Sequence, residues 1–122
     1  MTGKVIQIVE DDGLIALQLA ELLEKAGYLV VDPVFSGEMA LLALEKSTKP
    51  DLILMDIELA GALDGIETAR KIRNQYAIPL IFATSFTKEN MLVKMWEVEP
   101  DGVIYKPFNE RELFDKIENV LR

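Results

Sequence analysis

The chain has 122 residues, a formal net charge of −8, and neither cysteine nor histidine. Its length suits one domain, and a composition that is half hydrophobic predicts a folded core. The negative charge argues against binding to nucleic acid or to anionic membranes, which favour clustered Lys and Arg. Disulfides, thiolate metal sites and catalysis by a histidine of this chain are excluded, so any chemistry depends on carboxylates, hydroxyls, lysine and a hard cation.

We expect residues 1–122 to form a single domain in a cytoplasmic setting. The sequence contains no Pro-rich linker, low-complexity segment or long repeat that would mark a boundary. Its start does not resemble a signal peptide, and no apolar run approaches the length of a membrane span. The absence of cysteine favours the cytoplasm.

Five short apolar runs predict β-strands, and most of them lack the polar alternation of a half-exposed sheet. In chain order they are Val5–Val9, Tyr28–Val31, Leu52–Met55, Leu80–Ala83 and Val103–Tyr105. A helical pattern follows each run. The alternation predicts a doubly wound α/β fold, a five-stranded parallel sheet with helices on both faces.

The predicted helices have recognisable faces and caps. We expect the first to bury Ile15, Leu19, Leu22, Leu23 and Ala26 and to end at Gly27, and the third to bury Ile66, Ala69 and Ile72. Ser36, Thr87 and Asn109 are the expected N-caps of the second, fourth and fifth helices.

Acidic residues follow the first and third strands, at the edge where doubly wound sheets bind ligands. Glu10, Asp11 and Asp12 end the first strand, and Asp56 follows the third without a break. Because like charges repel unless a cation joins them, Mg²⁺ is the natural partner. The alternatives are a solvated acidic turn and a turn or cap aspartate, although Asp64 is the better cap candidate.

A hydroxyl and an ammonium complete the set of polar groups at the strand ends. Thr84 follows the fourth strand and Lys106 the fifth. Either residue alone is more often structural than functional. Together with the acids, they form a pocket suited to a phosphoryl group held with Mg²⁺.

The order of these motifs resembles the receiver domain of two-component response regulators, over essentially the whole chain. The segments that carry the resemblance are Ile6–Asp12, Pro50–Asp56, Asp64–Glu67, Pro79–Ser85 and Lys106–Phe108. The resemblance implies a chemotaxis-protein-like, flavodoxin-like (βα)5 fold with strand order 2-1-3-4-5. It also implies a phosphoacceptor that catalyses its own phosphorylation and dephosphorylation, rather than a turnover enzyme.

The resemblance assigns roles to single residues. Asp56 would accept the phosphoryl group from a histidine of a partner kinase or of a phosphotransfer protein. Asp11, Asp56 and the backbone carbonyl of Glu58 would bind Mg²⁺ directly, and Glu10 would act through water. The Thr84 hydroxyl would shift toward the bound phosphoryl group, while Lys106 would pair with one of its oxygens.

The resemblance also has implications for Asp12, for the Lys106–Pro107 peptide bond and for Phe86. Asp12 would be a bystander, and the Lys106–Pro107 peptide bond is commonly cis in this family. By family position, Phe86 would hinder the water that hydrolyses the acyl phosphate.

Two features depart from the common receiver pattern. Val103 occupies the position, three residues before the lysine, that usually carries a switch aromatic. The loop at residues 57–63 lacks the common Met-Pro and is about one residue longer.

The segment Met91–Val98 is apolar almost all round a helix, so part of it must remain outside the core. Its exposed part either folds onto neighbouring loops or forms a partner surface. The resemblance favours the partner surface, a homodimer or effector face built from the fourth helix, fifth strand and fifth helix.

Two alternative functions fit part of the pattern. In a Toprim-like Mg²⁺-dependent nucleic-acid domain, Glu10 would act with Asp56 and Glu58, but Thr84 and Lys106 would have no role. A receiver-like binding module that works without phosphate would not need the complete set of acids, hydroxyl and lysine.

Overall fold

A computed structural model describes residues 3–46, 48–85 and 89–122 of the chain. Strands and helices alternate along these residues, as the pattern of apolar runs predicts. The elements are β1 Val5–Val9, α1 Gly13–Lys25, β2 Leu29–Val30, α2 Gly37–Lys46, β3 Leu52–Asp56, α3 Gly65–Gln75, β4 Leu80–Thr84, α4 Glu89–Glu97, β5 Gly102–Tyr105 and α5 Glu110–Leu121.

The five strands form one parallel sheet with the order β2-β1-β3-β4-β5. The predicted fold class and strand order are therefore confirmed. The chain winds outward in both directions from β1 and β3, so the change in winding direction falls between these two central strands. Asp56 pairs with Ala83, and Thr84 pairs with Tyr105, which sets the carboxyl ends of β3, β4 and β5 at one edge.

Two hydrophobic clusters cover the two faces of the sheet, because alternate residues of each strand point to opposite sides. One cluster joins the sheet to α2, α3 and α4 and includes Leu44, Ile72 and Met95. The other joins it to α1 and α5 and includes Leu23 and Ile117. Helices on both faces explain why the central strands are apolar without interruption.

Side-chain caps start four of the helices. Ser36 Oγ accepts a hydrogen bond from Met39 N, and Asn109 Oδ1 accepts one from Glu112 N, as predicted. Asp64 caps α3 by accepting from Glu67 N, which confirms its choice over Asp56. Asp12 caps α1 through the amides of Leu14 and Ile15, and the predicted cap Thr87 lies outside the described residues.

The predicted buried face of α1 and the predicted length of β2 were wrong in part. Ile15 is 37% exposed, and Ala16 and Ala20 take the core positions instead. Two small alanines pack α1 closely on the sheet, a choice that hydrophobicity alone does not favour. The strand β2 is only two residues long, and Leu29 is 57% exposed because β2 forms an edge of the sheet.

None of the helices in the described ranges combines the length and the apolar character needed to cross a bilayer.

Candidate functional site

The polar residues predicted to share a site lie at the carboxyl edge of the sheet. Glu10 and Asp11 follow β1, Asp56 and Thr84 are the last residues of β3 and β4, and Lys106 follows β5. Glu10, Asp56 and Thr84 are buried, whereas Asp11 is exposed. The fold therefore assembles, from distant parts of the sequence, the set that the strand-end pattern predicted.

Three carboxylates form a tight cluster at this edge. One oxygen from each of Glu10, Asp11 and Asp56 lies within 4.8 Å of the others. Three negative groups at this separation repel one another strongly unless positive charge lies among them. Asp12, the third acid of the triplet, caps α1 and is not part of the cluster.

Lys106 supplies positive charge to the cluster. Its Nζ lies 3.1 Å from Glu10 Oε1 and 3.8 Å from Asp56 Oδ2. The other Glu10 oxygen, Oε2, accepts a hydrogen bond from Asp12 N at 3.2 Å. Glu10 is thus held at both oxygens, and it holds Lys106 beside Asp56. The peptide bond between Lys106 and Pro107 is cis, as the resemblance implied.

Burial raises the pKa of the Asp56 carboxyl to about 7, well above its ordinary value of 3.8. The ammonium of Lys106 lowers this pKa, while the charge and hydrogen bonding of Glu10 raise it further. The amide of Glu58, 3.2 Å from Asp56 Oδ1, also favours the charged form. Without added positive charge, much of Asp56 is therefore protonated at neutral pH.

The loop after β3 contributes main-chain and side-chain groups to the site. Ala60 N donates a hydrogen bond to Asp11 Oδ2 at 3.0 Å. Across the edge, Ser85 Oγ donates to Glu58 Oε1 at 3.3 Å. Sequence reasoning missed both contacts. For the contact of Ala60 with Asp11, the sequence offered one signal: the loop lacks the common Met-Pro, and proline has no N–H to donate.

A second feature that the motifs did not explain is the close approach of α3 to β3. A Cβ atom on Gly65 would lie 2.0 Å from the carbonyl oxygen of Asp56 and 2.7 Å from Cα of Ile57. Gly65 N also donates to Ile57 O at 2.8 Å. Only glycine fits here, because both obstacles are backbone atoms that cannot turn aside.

Thr84, the last residue of β4, pairs in register with Tyr105 of β5. Val103 and Tyr105 are two residues apart on β5, so both side chains leave the strand on the same face. Val103 is buried, whereas Tyr105 is half exposed. Phe86, expected to shield the acyl phosphate, lies outside the described residues.

The donor set fits Mg²⁺. All three clustered side chains offer carboxylate oxygens, the ligands that this hard cation prefers, and one of them faces solvent, where bound water can remain. A divalent charge would also offset the repulsion that raises the pKa of Asp56. The fold and site together define a doubly wound α/β module with an acidic, lysine-bearing pocket at the switch point of its sheet.

Comparisons with known proteins agree with this class. Residues 6–118 match the family model described as "Response regulator receiver domain". The phosphate regulon transcriptional regulatory protein PhoB of Pseudomonas aeruginosa is 37% identical over 125 aligned residues, covering 100% of this chain and 53% of that protein. The transcriptional regulatory protein PdtaR of Mycobacterium tuberculosis is 31% identical, covering 93% of this chain and 54% of that protein.

Two solved structures are similar over almost the whole chain. The N-terminal domain of a response regulator/sensory box/GGDEF protein from Carboxydothermus hydrogenoformans has a TM-score of 0.89 at 37% identity, covering 98% of this chain and 94% of that one. The receiver domain of a sensor histidine kinase from Pseudomonas aeruginosa, with magnesium in its active-site cleft, has a TM-score of 0.87 at 28% identity, covering 98% of each chain.

The chain belongs to the response regulator receiver domain family of two-component signalling. Receiver domains are signalling modules that histidine kinases phosphorylate and that bind Mg²⁺ in an acidic pocket. The chain spans about half the length of the curated relatives it matches. The matches give no support to the Toprim-like alternative or to the phosphate-independent module.

Proposed function

We propose that this chain accepts a phosphoryl group on Asp56, in a Mg²⁺-dependent reaction with a phosphohistidine of a partner. The observation that carries the proposal is the carboxylate cluster of Glu10, Asp11 and Asp56, with Lys106 Nζ 3.8 Å from Asp56 Oδ2. A buried carboxylate that is held beside a lysine and a cation site is suited to attack a phosphorus atom.

In the proposed step, an oxygen of Asp56 forms a bond to phosphorus while the bond from phosphorus to the donor imidazole nitrogen breaks. The electron pair of that bond stays on the departing imidazole. This chain has no histidine, so the donor is a residue outside these 122 residues. A histidine kinase and a histidine phosphotransfer protein both offer such a donor.

Mg²⁺ would be bound by Asp11, Asp56 and the backbone carbonyl of Glu58, with Glu10 acting through water, and would neutralise charge on the phosphoryl oxygens. Lys106 pairs with a second phosphoryl oxygen, for which it must leave Glu10. The Thr84 hydroxyl donates to a third. Each group acts where negative charge collects during transfer.

The proposal takes residues 1–122 as one receiver domain, supported by the single five-stranded sheet and by the family match over residues 6–118. The domain changes state once per phosphorylation and removes its own phosphoryl group by hydrolysis, so it is not a turnover enzyme. We also propose a cytoplasmic location, which the usual setting of response regulators supports.

The output of the domain is proposed to leave through the face formed by α4, β5 and α5, which would contact a second copy or an effector. Val93 and Trp96 on α4 are 56% and 53% exposed, while Met95 anchors the helix in the core. Tyr105 adds a half-exposed ring on β5. Aromatic side chains that remain exposed are favoured at binding surfaces.

Treatment with acetyl phosphate, followed by intact-mass spectrometry, tests the phosphoacceptor proposal. We expect one phosphoryl group per chain in the presence of Mg²⁺ and none after EDTA. Asp56→Asn should abolish labelling, because an amide is a far weaker nucleophile than a carboxylate.

Asp12→Asn is the matched control. Asp12 is also acidic and lies next to the cluster, but its side chain caps α1, a role that asparagine fills equally well. We expect normal labelling of this variant. Undiminished labelling of the Asp56 variant would contradict the proposal, and equal loss in both variants would show that labelling does not single out Asp56 among the acids near the site.

A further inference from the structure

The three clustered carboxylates differ in how they are held in place. Glu10 is fixed by Lys106 and by the Asp12 amide, and Asp56 by the Glu58 amide and Lys106. Asp11 is exposed, and its carboxylate accepts one hydrogen bond within the described ranges, from Ala60 N at 3.0 Å. Repulsion by its two neighbours would otherwise turn this side chain toward solvent.

The segment that carries the Ala60 amide is itself held firmly. Ile57 and Leu59 are buried in the cluster that joins the sheet to α2, α3 and α4. Glu58 and Ala60, the alternate residues, face outward. The Gly65 amide also donates to Ile57 O. The Ala60 N–H is therefore presented to Asp11 at the end of a segment whose preceding residues are fixed by packing and by a main-chain hydrogen bond.

We propose that the main-chain N–H of Ala60 is a positioning group that orients Asp11 for the divalent cation. This inference rests on the proposed function, since it assigns the means by which one ligand of that site is held. Groups that hydrogen-bond to a metal ligand and orient it commonly contribute 10- to 100-fold to metal affinity.

The hydrogen bond and cation binding are compatible. A carboxylate offers about four lone-pair positions, and the Ala60 N–H uses one of them. The bond is present together with the tight cluster, in which an oxygen of Asp11 lies within 4.8 Å of oxygens of Glu10 and Asp56. Asp11 therefore does not have to give up this bond to face the site.

This hydrogen bond gives a physical reason for the departure of the loop at residues 57–63 from the common receiver pattern. Proline has no N–H, so a loop with proline at position 60 could not make the bond to Asp11. The absence of Met-Pro, the extra residue and the left-handed backbone of Gly61, with φ of +108°, belong to one local arrangement that turns an amide toward the acid.

To test this inference, the dissociation constant for Mg²⁺ is measured by isothermal titration calorimetry on the whole chain and on its variants. Ala60→Pro removes the donor at a position where the side chain is exposed and φ is not positive. We expect about a tenfold increase in the dissociation constant. Ala62→Pro is the matched control, since the Ala62 amide donates no hydrogen bond among the described residues.

Ala60→Ser keeps the N–H and should bind Mg²⁺ like the unaltered chain. Unchanged affinity of Ala60→Pro, alongside loss of binding in Asp11→Ala, would overturn the inference and leave the proposed function intact. Absence of Mg²⁺ binding by the unaltered chain would overturn both. Equal weakening by Ala60→Pro and Ala62→Pro would show that loop rigidity matters instead of the donor, and would also overturn the inference.

A second measurement avoids substitution in the loop. Amide hydrogen exchange by NMR should show that the Ala60 amide is protected in the unaltered chain and loses protection in Asp11→Ala, while the exchange of Ala62 is unchanged. We expect the protection of Ala60 to persist or increase when Mg²⁺ is added. Loss of protection on adding Mg²⁺ would mean that the cation competes with the amide for Asp11, which contradicts a positioning role.

Discussion

Lys106 and Glu10, 96 residues apart in the chain, form an ion pair of 3.1 Å at the carboxyl edge of the sheet. The pair keeps the ammonium nearer to Glu10 than to Asp56, from which it is 3.8 Å away. Glu10 therefore acts on Asp56 in two ways: it repels the Asp56 charge directly, and it competes for the lysine that would neutralise that charge.

This relationship predicts opposite effects of two substitutions on the pKa of Asp56. Glu10→Gln should lower this pKa below about 7, because it removes a negative charge that raises it. Lys106→Met should raise it, because the charge that lowers it is lost. Carboxyl ¹³C NMR titrations in EDTA measure both shifts. Shifts of the same sign in the two variants would contradict this account of the charges.

Burial of Asp56 also predicts how stability depends on pH. The pKa of Asp56 is raised in the folded chain, so its contribution to stability is fully present below about pH 4 and is lost as pH rises through about 7. In EDTA at pH 8, Asp56→Asn should therefore be more stable than the unaltered chain by about 2 kcal/mol, less than the full shift implies because the site relaxes and admits water.

Urea denaturation followed by circular dichroism at pH 5 and pH 8 measures this difference. The advantage of Asp56→Asn should be smaller at pH 5, where Asp56 is largely protonated in the folded chain. Mg²⁺ at pH 8 should stabilise the unaltered chain more than the variant, since binding to the folded state adds to its stability. A constant difference between the two proteins at all pH values would contradict the prediction.

The contact of Gly65 with the backbone of Asp56 predicts a large effect from one added methyl group. In Gly65→Ala, the Cβ would collide with Asp56 O and with Ile57 Cα, so β3 or α3 must shift. We expect a loss of about 2 kcal/mol or more in the free energy of unfolding, together with slower labelling by acetyl phosphate.

Gly13→Ala is the control for this prediction. A Cβ on Gly13 would meet only Cε1 of Phe35, at an ordinary distance of 3.9 Å, and α1 begins at this residue. Alanine favours a helix by up to about 1 kcal/mol over glycine. Gly13→Ala should therefore be as stable as the unaltered chain or more so. Equal destabilisation in both variants would show that the close approach to Asp56 is not the cause.

The sequence predicts those features of this domain that depend on local pattern. The strands, the caps Ser36, Asp64 and Asn109, and the convergence of Glu10 with Asp56 follow from apolar runs and from parallel topology. These succeed because a parallel sheet brings all its carboxyl ends to one edge, whatever the intervening sequence.

Features that depend on distances between backbones were not predictable in this way. The Ala60 amide contacts Asp11 through the main chain, so the residue type at position 60 indicates only that an N–H is available and not where it lies. The exposure of Ile15 and the burial of Ala16 depend on how closely α1 approaches the sheet. Likewise, Lys106 lies closer to Glu10 than to Asp56 by less than 1 Å, a difference that no sequence pattern predicts.

Thr84 lies between the proposed phosphorylation site and the strand β5 of the proposed output face. Thr84 is fully buried at the end of β4 and pairs with Tyr105, whose half-exposed ring lies on the same side of the sheet as α4. A shift of Thr84 toward a phosphorylated Asp56 would change the contact of β4 with β5 at Tyr105, and β4 leads into α4 along the chain. We therefore expect amide hydrogen exchange at residues 89–105 to change when beryllofluoride and Mg²⁺ are added.

Residues 13–30, on α1 and β2, serve as the internal reference and should change much less, because they pack on the far side of the sheet or at its far edge. Thr84→Val is the matched variant: it keeps the size of the buried side chain but removes the hydroxyl that would bind the phosphoryl group. It should still bind beryllofluoride, yet lose the response at residues 89–105. Identical exchange there in the free and beryllofluoride-bound states of the unaltered chain would exclude this route, and an undiminished response in Thr84→Val would show that the signal reaches α4 without the hydroxyl.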